Sequence, residues 1–524
     1  MTSTARRPAA SASDTSRSAI LAALTTHVTS SGDPVTTSEP GTGRPITAMP
    51  QCTSADVSAA FAAARAAQSG WAATPVRERV APLSTLHDLL LTEQRQILDI
   101  VQWETGKARK HAFEEVLEVA MNALYLARIT PKTLRPARRA GALPGLTRTV
   151  ETRIPKGVVC VITPWNYPLA LTADVLPAIA AGNTVVQKPD TQTALTALWL
   201  REALVRAGMP REVWQIVLGD PAVIGDTLID EADFVAFTGS TAAGRRIAAR
   251  AGERLIGCSL ELGGKNPMVV LADADVAAAA NGAVRACFAN AGQLCISIER
   301  LYVHQAVHDR FTDELVRRVK GLKLGIGPDF GVDVGSLTSG RQLDTVTRHV
   351  EDARAKGATV LAGGRPRPDI GPFVYEPTVL SDVTPGMLAY RQETFGPVVS
   401  VYRVESDDEA VTSANDSEFG LNASVWSTDT QHARAIAGRI EAGSVNINEG
   451  YGATYASQAA PMGDMKSSGL GRRHGAEGLL KLTDAQTVAS QHLLGFDPPP
   501  GISARQHARL LTAGLRLLKR LHIR

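Results

Sequence analysis

Between Gly157 and Ala251 the chain alternates short apolar runs with helical periodicities, and this restricts the fold more than any other feature. Gly157-Val-Val-Cys-Val-Ile162 is a continuous apolar run, as a strand buried on both faces requires. A helical stretch follows to Ala181, and Gly182-Asn183 suits its C-terminal cap. Further strands are predicted at 184–187, 213–218 and 233–237, with helices at 193–207, 222–229 and 242–251. Strands separated by helices pair in parallel through right-handed crossovers. The outline is that of a nucleotide-binding α/β sheet, although it contains no Gly-x-Gly-x-x-Gly. A second alternation begins at Asn266-Pro-Met-Val-Val-Leu271 and runs to about Ile440, so a second α/β lobe is expected.

The chain has 524 residues, room for two to four domains at roughly 150 residues each. Its 55 Lys+Arg against 52 Asp+Glu leave +3, too balanced for a dedicated nucleic-acid binder. No stretch approaches the ~20 uninterrupted apolar residues of a membrane span. The five cysteines show neither a disulfide framework nor metal-ligand spacing, and His304 with His308 lacks a third ligand nearby, so no metal is expected. That usage points to a reducing, cytoplasmic compartment. The start is rich in Ser, Thr and Ala without an apolar signal core, so residues 1–39 are expected to be disordered or extended; a transit peptide is the alternative.

Three segments carry candidate chemistry. Phe237-Thr-Gly-Ser-Thr-Ala-Ala-Gly244 has the glycine spacing of a phosphate loop, but Arg245-Arg246 follow where Lys and Ser/Thr are needed. Gly239 and Ser240 instead suit the approach of a pyrophosphate to a helix start, against the plainer reading of a tight turn. Glu261-Leu-Gly-Gly-Lys-Asn-Pro267 ends an apolar stretch on a carboxylate, and Asn290-Ala-Gly-Gln-Leu-Cys295 ends a glycine-containing loop on a thiol. Taken alone, Glu261 reads as a solvated loop residue and Cys295 as inert core.

Together with Pro164-Trp-Asn-Tyr-Pro168, Lys188-Pro189 and Glu393-Thr-Phe-Gly-Pro397, these segments resemble the aldehyde dehydrogenase superfamily in order and spacing over about residues 40–490. The resemblance implies a Rossmann-like cofactor domain of 40–130 and 156–262, an α/β catalytic domain of 263–460, and a β oligomerisation arm of 131–155 and 480–495. It makes Cys295 the nucleophile, Glu261 the general base, and Asn166 with the Cys295 backbone N–H the oxyanion donors. It assigns the cofactor to Trp165, Asn166, Lys188, Pro189, Asp190, Thr191, Gly239, Ser240, Leu262, Glu393 and Phe395. Cys295 is expected to be activated locally, because an unperturbed thiol is only a few per cent ionised at neutral pH. A homodimer or homotetramer is implied.

Within the superfamily the chain is most similar to bacterial NADP-dependent succinate-semialdehyde dehydrogenases, notably through residues 290–300 and 464–475. Two positions depart from that likeness: where arginines would hold the distal carboxylate stand Asp174 and Ala289. Another aliphatic or aromatic aldehyde is therefore the runner-up substrate. Thr191 stands where NAD-preferring relatives carry a carboxylate, which predicts NADP with NAD as second candidate, provided Asp190 faces solvent. A non-catalytic protein on the same fold would lack the nucleophile or the base, whereas both are present. Residues 501–524 form a basic amphipathic tail without an acidic residue, suited to weak peripheral contact with an anionic membrane or to packing on its own oligomer.

Overall fold

Six strands form the sheet expected from the first alternation, in the order Gly469–Leu470, Gly257–Glu261, Phe234–Thr238, Val158–Thr163, Thr184–Pro189 and Trp214–Ile216. The last five pair in parallel, and Gly469–Leu470 closes one edge antiparallel, returning from far along the chain. Val158, Val159 and Cys160 are fully buried, as a central strand covered on both faces demands. Register then decides where the chemistry lies. Thr163 pairs with Pro189, Ile162 with Phe237, and Thr238 with Glu261. The segments that follow these strands therefore emerge along one sheet edge, the carboxyl ends where open α/β sheets bind ligands.

These features belong to a computed structural model that describes residues 12–142, 147–492 and 497–522. The second sheet has seven strands: Thr359–Ala362, Thr378–Ser381, Val398–Val404, Ile298–His304, Asn266–Val270, Asn422–Trp426 and Ser444–Ile447. All its pairings are parallel except that of the edge strand Thr359–Ala362. The helical stretch read up to Ala181 is two helices, Pro168–Thr172 and Val175–Ala181, the second ending on Gly182 at φ 96°. Only glycine takes that conformation without steric cost.

A three-stranded antiparallel sheet stands apart from both: Thr483–Gln491, Thr147–Pro155 and Ala137–Arg139. Its register runs from Thr483 opposite Pro155 to Gln491 opposite Thr147. Ile154 and Val488 remain exposed on it. Residues 143–146 and 493–496 of the expected arm lie outside the described residues.

The expectation for residues 1–39 is corrected in part. Ala12–Thr25 is a helix, followed by a hairpin of Gly32–Ser38 and Pro45–Gln51. Leu21, Leu24 and Val28 are buried in the main core, and Arg17 pairs with Glu39 at 2.6 Å while lying over the Trp103 ring. Polar composition hid one buried stripe at helical spacing. At the other end, Ala504–Arg520 is a helix that begins in a Ser503/Gln506 capping box. Leu510, Leu515, Leu517 and Leu521 stay exposed. Among the described residues no helix is long and apolar enough to cross a membrane.

Candidate active site

The loop before Cys295 is built on an unfavourable backbone. Asn290, Ala291 and Gly292 have φ of 50°, 53° and 70°, three successive residues in the left-handed region. A Cβ on Gly292 would lie 2.1 Å from the Gly396 carbonyl oxygen, so this position needs glycine for space as well as for φ. The conformation is held by buried hydrogen bonds. The Asn290 N–H donates to His111 Nδ1 at 3.1 Å, and Asn290 Nδ2 donates to the Asn166 and Gln293 carbonyls at 3.0 and 3.1 Å. Strain of this kind persists only where surroundings over-determine it, and it concentrates at functional sites.

Asn166 is fixed from both sides. Its carbonyl accepts from Lys107 Nζ at 2.7 Å, and its Nδ2 donates to the Gln293 carbonyl at 3.1 Å. An amide nitrogen carries two hydrogens, so one remains for a ligand. Lys107 is itself paired with Glu115, both fully buried, and Glu115 accepts the Leu169 and Ala170 N–H groups at the next helix start. The Cys295 N–H meets no acceptor among the described residues. Two donors are thus available beside the thiol.

Two adjacent glycines let the Glu393 carboxylate and the Cys295 backbone approach. A Cβ on Gly263 would sit 2.7 Å from Glu393 Oε2, and one on Gly264 would sit 2.5 Å from the Cys295 carbonyl oxygen. Any side chain at 263 or 264 would push one of these groups away. Gly264 N–H donates to Glu393 Oε1 at 2.8 Å, and Asn266 Nδ2 holds the Cys295 carbonyl at 2.8 Å. Behind them Lys265 pairs with Glu299, which also accepts the Thr394 and Phe395 N–H groups at 3.0 Å. Phe395 sits edge-on to Trp165, ring centroids 5.6 Å apart. Glu261, at the end of its strand, closes the other side.

Electrostatics here correct one expectation. The Cys295 thiol is pushed up to about 12, first by burial and then by the Glu261 and Glu393 carboxylates, with Arg473 opposing. In the chain alone, burial thus works against the expected activation of Cys295. Glu393 is pushed up to about 8 by burial and by Glu299. Glu261 is raised by burial, against the pull of Arg473 and Lys481. A carboxylate so raised is the stronger base for a reluctant thiol.

Residues 27–488 match the aldehyde dehydrogenase family. The chain belongs to that family. It is 51% identical over 98% of its length, and 99% of the relative's, to a Mycolicibacterium smegmatis protein provisionally named succinate-semialdehyde dehydrogenase [NADP(+)]. Among solved structures it resembles an NADP-dependent enzyme of E. coli, with TM-score 0.84, 33% identity, and coverage of 88% of this chain and 95% of that one. A betaine aldehyde dehydrogenase of Staphylococcus aureus in complex with NAD+ gives TM-score 0.86 and 29% identity, covering 93% and 99%.

Of the residues expected to hold this dehydrogenase's coenzyme, those from Trp165 to Leu262 lie at or just after strand ends of the first sheet, whereas Glu393 and Phe395 come from the second lobe. Lys188 is buried, and its ammonium makes one long hydrogen bond, 3.3 Å to the Pro189 carbonyl. A buried cation so poorly served fits an anionic ligand group. Ser240 caps helix Thr241–Glu253, and Gly239 is backed so closely by Phe237 that a Cβ would meet its ring at 2.5 Å. Leu262 packs where Gly244 leaves room, 2.5 Å from a Cβ placed there. Asp190 is corrected: it does not simply face solvent but caps the turn Thr191–Thr193, accepting the Gln192 N–H at 2.9 Å.

Among the described residues, Asp174 is turned onto Arg473, which donates to it at 2.6 and 3.1 Å, while Ala289 is buried. Neither departure position offers a cation to a substrate, but Arg473 reaches the site from 299 residues away. Sequence reading missed this arginine, together with Lys107, Glu115, His111 and Glu299. Apart from the Lys107–Glu115 pair, eight residues apart, their partners lie in distant segments. Cys52 is buried, with its thiol 3.4 Å from the Thr29 carbonyl.

Proposed function

We propose that this dehydrogenase oxidises succinate semialdehyde to succinate through a thioester on Cys295, with NADP+ as hydride acceptor. The observation that carries the reaction class is the pair Gly263–Gly264, which admits Glu393 and Cys295 to one edge beside Asn166 and Glu261. Glu261 takes the thiol proton as the Cys295 Sγ–carbon bond forms. The Asn166 amide and the Cys295 N–H hold the new oxyanion, one such donor being worth about 3 kcal/mol. Lys188, Thr191, Ser240 and Glu393 would hold NADP+, which would supply the acceptor for the hydride that leaves that carbon. Once Glu261 has passed that first proton to solvent, it removes a proton from water as the C–O bond forms and returns it to the Cys295 sulfur as the C–S bond breaks, releasing acid and thiol.

The substrate and the coenzyme rest on the M. smegmatis relative and on Thr191. Another aldehyde remains the second reading because Arg473 is engaged by Asp174. The three-stranded arm leaves strand edges and Ile154 and Val488 exposed, which supports a homodimer or homotetramer joined through it. Five free cysteines suit a cytoplasmic location. The C-terminal helix suits an anionic lipid surface.

Cys295→Ala and Glu261→Gln separate the steps. The first should abolish NADPH formation from succinate semialdehyde. The second should slow turnover by at least a hundredfold and leave a succinyl adduct visible by intact mass. Turnover surviving in Cys295→Ala would sink the reading.

A further inference from the structure

Behind Cys295 three carboxyl groups and two cations converge in the interior: Asp174, Glu261, Asp464, Arg473 and Lys481. Three of the five have settled partners. Arg473 is joined to Asp174 at 2.6 Å. Lys481 Nζ donates to the Ser259 hydroxyl at 2.8 Å rather than to a carboxylate. Glu261 and Asp464 are left facing each other. Asp464 lies between strands Met462–Gly463 and Met465–Lys466, and its Oδ2 would be 2.6 Å from a Cβ on Gly469. Gly469 is the sheet partner of Glu261, so the absent side chain gives Asp464 its way in.

Glu261 Oε1 and both Asp464 carboxyl oxygens are buried and meet no donor among the described residues. Two ionised carboxylates can only accept, so their contact becomes a hydrogen bond when one of them carries a proton. Charge counting agrees. The Arg473–Asp174 pair is neutral, half-buried Arg472 is engaged by the Asp464 and Gly471 carbonyls, and one Lys481 ammonium balances one of the two remaining carboxylates. If both were ionised, the other carboxylate would be a buried charge without a counterion, which is strongly unfavourable.

We propose that Glu261 and Asp464 share a single proton carried by Asp464, which makes Asp464 a positioning residue that donates to the ionised base. Burial, the Glu261 charge and the hydrogen bond to Glu261 push Asp464 up to about 10, with Arg472 and Lys481 opposing. The same bond works in the opposite sense on Glu261, favouring its charged form. Each proton that Glu261 takes from thiol or water brings the pair to two protons, and one then leaves to solvent. The inference rests on Glu261 as the base of the proposed reaction, and it deepens that reading.

The sign of one shift decides it. If Asp464 is a proton-bearing donor, Asp464→Ala removes a hydrogen bond from ionised Glu261, and the acid limb of the kcat–pH profile moves up by about one unit. Asp464→Asn still donates, so its limb stays within a few tenths of wild type. If Asp464 is instead an ionised carboxylate, the Ala variant relieves repulsion and the limb moves down; if it only fills space, the limb does not move. Either result overturns the proposal. An infrared difference spectrum of wild type minus Asp464→Asn at pH 8 needs no substrate and stands apart from the aldehyde assignment. It should show the carbonyl stretch of a protonated carboxylic acid, and its absence would also overturn the proposal, even for a variant too damaged to turn over.

Discussion

Arg473 Nη2 donates to Asp174 Oδ1 at 2.6 Å, and Nε adds a second bond to the same oxygen at 3.1 Å. The acidic residue that stands in place of an expected substrate-binding arginine thus holds an arginine from the far end of the chain. Its charge also acts on Cys295 and Glu261. A cation is therefore present near the reaction centre, but its partner is already chosen.

Releasing that cation should change selectivity. In Asp174→Ala, the ratio of kcat/KM for succinate semialdehyde to that for a neutral aldehyde of equal length should rise about tenfold, or ~1.4 kcal/mol. The same variant should lose about 2 kcal/mol of stability. That is below the range for a fully buried pair, because 21% of the Asp174 side chain is exposed. An unchanged ratio would mean that Arg473 never faces the substrate carboxylate.

How much of this was legible depends on the range of each interaction. The first sheet could be read because each strand announces itself by a run of its own residues, Val158 to Ile162 above all. Glu261 was read as the end of an apolar stretch, and that stretch proved to be strand Gly257–Glu261. The antiparallel closure by Gly469–Leu470 was not legible, since a two-residue strand has no periodicity. The same distance hid Asp464 from Glu261 and Arg473 from Asp174. Asp190 failed for a local reason: an aspartate before a turn competes for backbone N–H groups, and that capping outweighed its pull toward solvent.

His111 should make folding acid-sensitive through the nucleophile loop. Burial, aided by Lys110 and Lys107, lowers its pKa from the ordinary 6.5 to about 3, and its Nδ1 accepts the Asn290 N–H. In the window between those values the unfolded chain binds a proton that the folded chain does not. Stability then falls as pH drops, by up to ~1.4 kcal/mol per pH unit for each such group. His349, lowered to about 4 by burial, adds in the same direction. Denaturant midpoints of His111→Gln should fall less steeply with acid, by one proton's worth of slope. Parallel slopes for variant and wild type would remove His111 from the account.

The C-terminal helix should bind anionic vesicles weakly. Leu510, Leu515, Leu517 and Leu521 are more than half exposed, and Arg505, Arg509, Arg516, Lys519 and Arg520 share the segment. Attraction between such exposed charges and a lipid surface is screened over ~10 Å at 0.1 M salt. Co-sedimentation with phosphatidylserine-containing vesicles should therefore fall several-fold between low and high salt. A protein ending at Asp497 should stay in the supernatant at both. If it pellets equally, the tail is not the contact.

Coenzyme choice should turn on residue 191. Thr191 opens the turn Thr191–Thr193 one residue after strand Thr184–Pro189, on the edge where buried Lys188 makes one long hydrogen bond, to the Pro189 carbonyl. An NADP 2′-phosphate carries nearly two negative charges, as phosphorylated side chains do. A carboxylate ~4 Å away would oppose each of them by roughly 4 kcal/mol at an effective dielectric near 20. Thr191 presents a neutral hydroxyl there, and Asp190 is occupied in capping the Gln192 N–H. Asp190 still lies close enough to act on Lys188, so part of the lysine's attraction is already answered. Thr191→Glu should accordingly raise KM for NADP by tenfold or more while changing KM for NAD by less than threefold. Its kcat with saturating coenzyme should stay near wild type, since Cys295 and Glu261 are untouched. Equal changes for the two coenzymes would place selectivity elsewhere along the sheet edge.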